Sequence, residues 1–140
     1  MPRKTDSRNP ADWLWISSVD LDVIRLAAAA EIGFPTLEGK LAEVLEKIMK
    51  AELIRDGWRL EKTHDLDRLL ELLVERNAGF AAQFEPHCDA LAEAYFSNRY
   101  PGFDLDDPDW PAFREQLQQV AALHATVEAR VAGQASGGPA

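Results

Sequence analysis

Apolar residues in this chain recur at intervals of three and four along most of its length, and no run alternates apolar with polar residues clearly enough to read as a strand. That period is the strongest constraint on the fold, because only a helix gathers residues so spaced onto one face. Start and stop signals cut the pattern into five helices. Asn9-Pro10 opens the first, which runs to Ile32 before Gly33-Phe34-Pro35; Asn accepts from free first-turn N–H groups, and Pro suits the first helical position. Thr36 is read as the cap of the second, whose stripe Leu37, Leu41, Val44, Leu45, Ile48 and Ala51 continues until Gly57 offers a left-handed stop. Thr63-His64-Asp65-Leu66 opens the third, with Thr63 as cap, Leu66, Leu69, Leu70, Leu73 and Val74 as stripe, and an end near Asn77-Ala78-Gly79. The fourth carries Phe84, Cys88, Leu91 and Tyr95 on one face, holds Pro86 in its first turn and stops before Asn98-Arg99-Tyr100-Pro101-Gly102. After an acidic loop from Phe103 to Pro108, Asp109 caps a fifth helix striped by Phe113, Leu117, Val120, His124, Val127 and Val131.

The expected fold is all-α: an antiparallel up-and-down bundle of four main helices, with a fifth C-terminal helix laid across or beside them. One domain over residues 10–132 is expected, flanked by disordered tails at 1–9 and 133–140, and 140 residues suffice for a hydrophobic core without staples. Helix 1 presents two apolar faces. Trp15, Ile16, Val19, Val23, Leu26 and Ala30 form one; Trp13, Leu14, Leu21, Ile24 and Ala28 form the other. One face serves the core and the second must meet another helix or chain, which makes Trp13, Leu14, Leu21 and Ile24 the candidate dimer interface. The charge run of helix 2 is read as a solvated face, where Glu43–Lys47 and Glu46–Lys50 are each worth about 0.2–0.5 kcal/mol.

Against 24 Asp and Glu the chain has 15 Lys and Arg, a net charge of −9 that argues against a protein built to neutralise DNA phosphates, though a local basic patch is compatible with it. Cys88 is the sole cysteine and has no internal disulfide partner, and the polar start Met1-Pro2-Arg3-Lys4-Thr5-Asp6 is not followed by an apolar signal region, so a cytoplasmic location is expected. No apolar run approaches the roughly 20 residues of a membrane span. His64, His87, Cys88 and His124 lack the paired spacing of a zinc site, and the loop Asp104, Asp106, Asp107 and Asp109 lacks the glycine and distant glutamate of a calcium loop, so no metal is expected. His124 lies on an apolar stripe and is read as a packing histidine.

Three pieces stand in order: Lys40 to Ala51 in helix 2, then Thr63-His64-Asp65-Leu66, then Arg99-Tyr100-Pro101. In that order and spacing the chain resembles the HEPN family, over roughly Trp13 to Phe103. The resemblance implies a helical bundle that commonly forms homodimers and binds nucleotides, often as the companion of a separately encoded minimal nucleotidyltransferase in a toxin–antitoxin or defence setting. The candidate nucleotide-binding residues are Lys47, His64, Arg99 and Tyr100; Arg99 could clamp a phosphate and Tyr100 stack a base, with or without Mg²⁺. No cofactor beyond such a ligand is expected, and the balance is against an enzyme. The catalytic alternative is a metal-independent ribonuclease. Other relatives use an Arg followed after four to six residues by His, a count that Arg59 and His64 fit, with imidazole moving the proton of a 2′-hydroxyl and guanidinium stabilising the phosphate charge. Against it, the motif straddles the turn between helices 2 and 3 instead of lying on a later helix. The third reading is a purely structural or regulatory oligomer.

Overall fold

The computed structural model describes residues 2–137, with side chains as far as residue 134. Its elements are α1 (Pro10–Ala29), α2 (Phe34–Arg55), α3 (Leu66–Ala81), α4 (Glu85–Leu91), α5 (Ala94–Ser97) and α6 (Trp110–Gly137), and no strand occurs among the described residues. The all-helical bundle expected from the periodicity is what forms.

Several boundaries follow the local chemistry of the sequence. Asn9 caps α1, its side chain accepting from the Ala11 N–H at 3.0 Å, with Pro10 at the first position. At the end of α2, Gly57 takes φ 93°, and the N–H groups of Gly57 and Trp58 bond back to the carbonyls of Ile54 (3.0 Å) and Leu53 (2.9 Å). This is the Schellman closure that a left-handed glycine permits. Asp109 caps α6 through the Ala112 N–H at 3.1 Å.

Other boundaries moved. Helix 1 ends at Ala29 because Glu31, at φ 54°, turns the chain and Ile32 N–H returns to the Ala27 carbonyl at 3.0 Å. Thr36 does not cap α2: the helix starts two residues earlier at Phe34, behind Gly33 at φ 72°, and no side chain caps it. In α3 the cap is Asp65, which accepts from Asp67 and Arg68, while Thr63 Oγ1 only supports the Asp65 N–H at 3.2 Å. The expected stop at Asn77 is a kink, with Asn77 at φ −159° and ψ 86° and its side chain accepting from Phe80 before the helix resumes to Ala81. The fourth helix is broken into α4 and α5. Residues 133–137, expected in a tail, continue α6, whereas 138–140 lie outside the described residues. Residues 6–9 also fold back rather than trail: Trp13 Nε1 donates to the Ser7 carbonyl at 2.8 Å, and the Asp6 N–H donates to Asp12 at 2.9 Å.

α2 is the axis, packed against every other helix. Pairing of α1 with α2 runs in opposite senses, since Asp20 meets Lys47 and Trp13 meets Lys50. α6 lies against both: it is antiparallel to α1, with His124 Nε2 donating to the Leu14 carbonyl at 2.9 Å, and runs with α2, from Phe113 beside Phe34 to Arg130 beside Glu52. The link between α2 and α3 is an extended return anchored by the buried Trp58, so α3 runs in the same sense as α2, from His64 at Glu46 to Arg76 at Asp56, and the helical bundle departs at this step from the expected up-and-down order. α4 and α5 come back along α2, from Cys88 at Met49 to Asn98 at Pro35.

This arrangement settles the two faces of α1. Leu14, Leu21, Ile24 and Ala28 are buried against α2 and α6, and Trp13 is half-buried beside them, so they belong to the core and the assignment of Trp13, Leu14, Leu21 and Ile24 to a dimer interface is corrected. Two helices, α2 and α6, converge on that face, which the sequence of α1 could not reveal. The face left open is Trp15, Ile16, Val19, Val23 and Leu26, at 36–77 % exposure. The charge run of α2 is corrected as well: the side chains of Glu46 and Lys50 are 6 % and 4 % exposed and Glu52 is also buried, because a helix surrounded on all sides has no solvated face at those positions.

Candidate functional site

The start of α2 meets α5 at Gly39, where even a Cβ would make ordinary contact, 3.5 Å from the Ala94 carbonyl oxygen and 3.9 Å from the Asn98 Cβ. Asn98 ties the two ends together, its Nδ2 donating to the Pro35 carbonyl at 3.1 Å and to Glu38 Oε1 at 3.3 Å. Between them opens a groove of about 450 Å³ lined by Pro35, Thr36, Gly39, Lys40, Glu43, Asn98, Arg99 and Tyr100.

The groove is organised by charge. Glu43 receives both Lys40, at 3.0 Å, and Arg99. Burial alone would raise the Glu43 carboxyl, but the Lys40 hydrogen bond and the charges of Lys40, Arg99 and Lys47 outweigh it and hold the group below its ordinary value. Lys40 is correspondingly raised by its bond to Glu43. The Arg99 guanidinium lies 4.3 Å from the centre of the Tyr95 ring. That ring is also stacked with His64, centroids 5.3 Å apart and planes 17° off parallel. His64 Nδ1 is 3.2 Å from each oxygen of Glu46 and donates to that carboxylate, which in turn accepts from Lys50 at 2.9 Å. A continuous run of contacts therefore leads from Lys50 in the core through Glu46, His64, Tyr95 and Arg99 to Glu43 and Lys40 at the surface. Burial, and then the nearby Glu46 charge, keep the Tyr95 hydroxyl protonated beyond its usual range.

Of the residues singled out in the sequence, Arg99 and Tyr100 line the groove, Tyr100 with 69 % of its surface free. His64 joins them through Tyr95 and does not line the groove itself. Lys47 stands outside it, paired with Asp20 of α1 at 3.1 Å. Arg59 is exposed in the α2–α3 link and, among the described residues, makes no hydrogen bond or ion pair; nothing in the structure joins it to His64. Sequence reasoning passed over Tyr95 as a stripe residue and Glu43 as part of a solvated run; the available signal was the nearness of Tyr95 to Arg99 in sequence, since the turn that ends α5 folds the Arg99 side chain back over the Tyr95 ring. No group of three or more His, Cys, Asp and Glu among the described residues could hold a metal ion. His87 is buried and its basicity lowered by that burial; Cys88, pushed up to about 12 chiefly by burial, lies 3.7 Å from the Met49 sulfur. His124 is buried and hydrogen-bonded, as a packing histidine should be.

The family model for the HEPN domain matches residues 40–128, from Lys40 in the groove to the last turns of α6. The chain belongs to the HEPN family. No curated protein and no solved structure matches it. Membership supports a nucleotide-related or ribonuclease-like function in general. The HEPN match also includes all three sequence motifs, and two of them, Thr63-His64-Asp65-Leu66 and Arg99-Tyr100-Pro101, are brought to opposite sides of Tyr95 along one contact path. Among the described residues no helix is long and apolar enough to cross a membrane.

Proposed function

We propose that this HEPN protein is a nucleotide-binding module, with the nucleotide phosphates at the start of α2 between Lys40 and Arg99 and the base against Tyr100. The observation that carries this reading is the coincidence of an uncapped helix start with the groove's two cations. α2 is 22 residues long, no side chain caps it, and its first turn, Pro35 and Thr36, lines the same groove as Lys40 and Arg99. Pro35 has no N–H to offer, so the Thr36 N–H and the helix dipole are what favour an anion there. The volume of about 450 Å³ falls within the roughly 300–1,000 Å³ of small-molecule sites. Glu43 holds both cations in place and offsets part of their charge, so the phosphate displaces the carboxylate from Arg99 on binding.

The reading includes a homodimer formed through the open face of α1, where Trp15, Ile16, Val19, Val23 and Leu26 need a cover, and association with a separately encoded minimal nucleotidyltransferase in a toxin–antitoxin or defence setting, as the family resemblance implies. The ribonuclease alternative with Arg59 and His64 receives no comparable support, because His64 is engaged by Glu46 and Tyr95 and Arg59 stands apart. The test is thermal unfolding across a nucleotide panel, with and without Mg²⁺. At about 100 times its dissociation constant a ligand stabilises the wild type by roughly 2.7 kcal/mol. The stabilisation should be lost in Arg99→Ala and weakened in Tyr100→Ala. A nucleotide that stabilises the wild type and both variants equally rules out this groove.

A further inference from the structure

At the far end of α2 three arginines converge on a second, smaller cavity. It has a volume of about 160 Å³ and is walled by Arg55, Arg76, Arg130, Glu52, Asp56 and Phe80. Their side chains are well covered for arginine: 17 % exposed for Arg55, 32 % for Arg76 and 34 % for Arg130. Glu52, nearly buried, accepts from Nε and Nη2 of both Arg55 (3.0 and 2.7 Å) and Arg130 (2.8 and 3.0 Å). Arg76 Nη1 reaches the Asp56 carbonyl at 2.9 Å and its carboxylate at 3.1 Å. Arg130 also rests on Phe80, 4.5 Å from the ring centre.

A donor count shows what is left over. An arginine has five N–H donors, and each of these three shows two engaged, so more than half of the donors around the cavity have no protein partner among the described residues; none of the nitrogens is both buried and unpartnered, so the spare N–H groups are open to solvent or a ligand. The charges do not balance either, since three guanidiniums face two carboxylates. Both carboxylates are already occupied, and Glu52 is held below its ordinary value because the Arg55 and Arg130 hydrogen bonds overcome the upward push of burial. In a chain of net charge −9, a partly covered cavity that carries one more positive than negative group is a place where an anion is favoured.

We propose that this cavity is a site for one small tetrahedral oxyanion, a phosphate group, bound by the free N–H groups of Arg55, Arg76 and Arg130. Guanidinium forks match phosphate oxygens in pairs, and the fixed orientation that Glu52 imposes on Arg55 and Arg130 removes much of the ordering cost of binding. At about 160 Å³ the cavity is smaller than the roughly 300–1,000 Å³ of drug-sized sites, so it admits a phosphate or phosphomonoester head and not a nucleoside. The site shares no lining residue with the groove at the opposite end of α2.

The experiment uses the full chain carrying Lys40→Gln and Arg99→Ala, which empties the groove of cations, and compares it with the same chain carrying Arg76→Gln in addition. The probes are inorganic phosphate and phosphoserine, each against chloride at matched ionic strength. Millimolar phosphate should raise the melting temperature of the first protein by roughly 2–4 °C and leave the second unmoved. Because Arg76 contacts only the exposed Asp56, its replacement should not disturb the fold. As an independent readout, the Nε–Hε resonances of Arg55 and Arg130 in the wild type should shift and saturate with phosphate. A response to both probes assigns the site to phosphate heads on a larger molecule, and a response to inorganic phosphate alone assigns it to the free ion. No stabilisation beyond chloride by either probe, equal stabilisation of the Arg76→Gln protein, or arginine resonances that do not saturate would overturn the proposal.

Discussion

Consider the replacement Glu46→Leu. As a four-residue helical pair on a wet surface, Glu46–Lys50 would contribute about 0.2–0.5 kcal/mol. The structure puts both side chains in the core, 6 % and 4 % exposed and 2.9 Å apart, with the Trp13 ring 5.4 Å from the ammonium. Removing Glu46 strands that ammonium in a low-dielectric interior, and breaking a buried pair in this way costs about 3–5 kcal/mol. For a domain of this size the loss is a fall of roughly 12–20 °C in melting temperature. Replacing both partners, Glu46→Leu with Lys50→Met, removes the stranded charge and should recover most of the loss, since well-packed apolar groups substitute for buried pairs at little net cost. Urea unfolding of the wild type, both single variants and the double variant completes the cycle, and the coupling between the positions should exceed 2 kcal/mol, at the upper end of about 0.5–3 for residues in contact. A loss below about 1 kcal/mol for Glu46→Leu would mean that the pair is solvated, and the account of α2 as an enclosed axis would fail.

Val23→Asp, on the open face of α1, should dissociate a dimer in sedimentation while leaving the circular dichroism spectrum unchanged, whereas Leu21→Asp should unfold the monomer; a dimer surviving Val23→Asp would remove that face from the interface. Acid should destabilise the protein through Glu43 and Glu52: both are depressed in the folded state, so their contribution is complete above an unfolded carboxyl value of about 4.5 and falls away as pH drops through the lower folded values, a loss that Glu52→Gln should flatten in acid titrations of stability. Cys88 should react with a thiol reagent at neutral pH only as fast as the chain opens, because the sulfur is buried and its ionisation is pushed up to about 12; rapid stoichiometric labelling of the native protein would contradict that burial.

What was legible in the sequence was set by local rules. Asn9, Gly57 and Asp109 act as caps and stops because their chemistry is exercised within a few residues. Thr63 lost its place to Asp65 for a reason equally local, since both are good caps and only the return path of the link from Trp58 decides which one the helix starts behind. The face of α1 was a different kind of problem. Period fixes which residues stand together, and Leu14, Leu21 and Ile24 do stand together, but which of two apolar faces is covered depends on where α6 docks more than 80 residues later. Glu46 and Lys50 misled for the same reason: charge is a guide to exposure only when one side of a helix is left without neighbours. At the candidate site the motif residues Arg99 and Tyr100 were visible and the connecting Tyr95 was not, because an aromatic on an apolar stripe looks the same whether it fills space or carries a stack.

The placement of α2 also governs how this molecule comes apart. Every other helix leans on it, so no pair of the remaining helices retains a complete set of partners once it is lost. Amide exchange should therefore be ordered by depth: the ends of α1 and α6 and the short α5 open in local events, while the middle of α2, from Leu41 to Leu53, exchanges only through global unfolding. Since the groove is built on the first three turns of α2 and the arginine cavity on its last, a ligand at either end would slow exchange along a helix shared with the other, and the two ends would sense each other through a common stability without any change of shape.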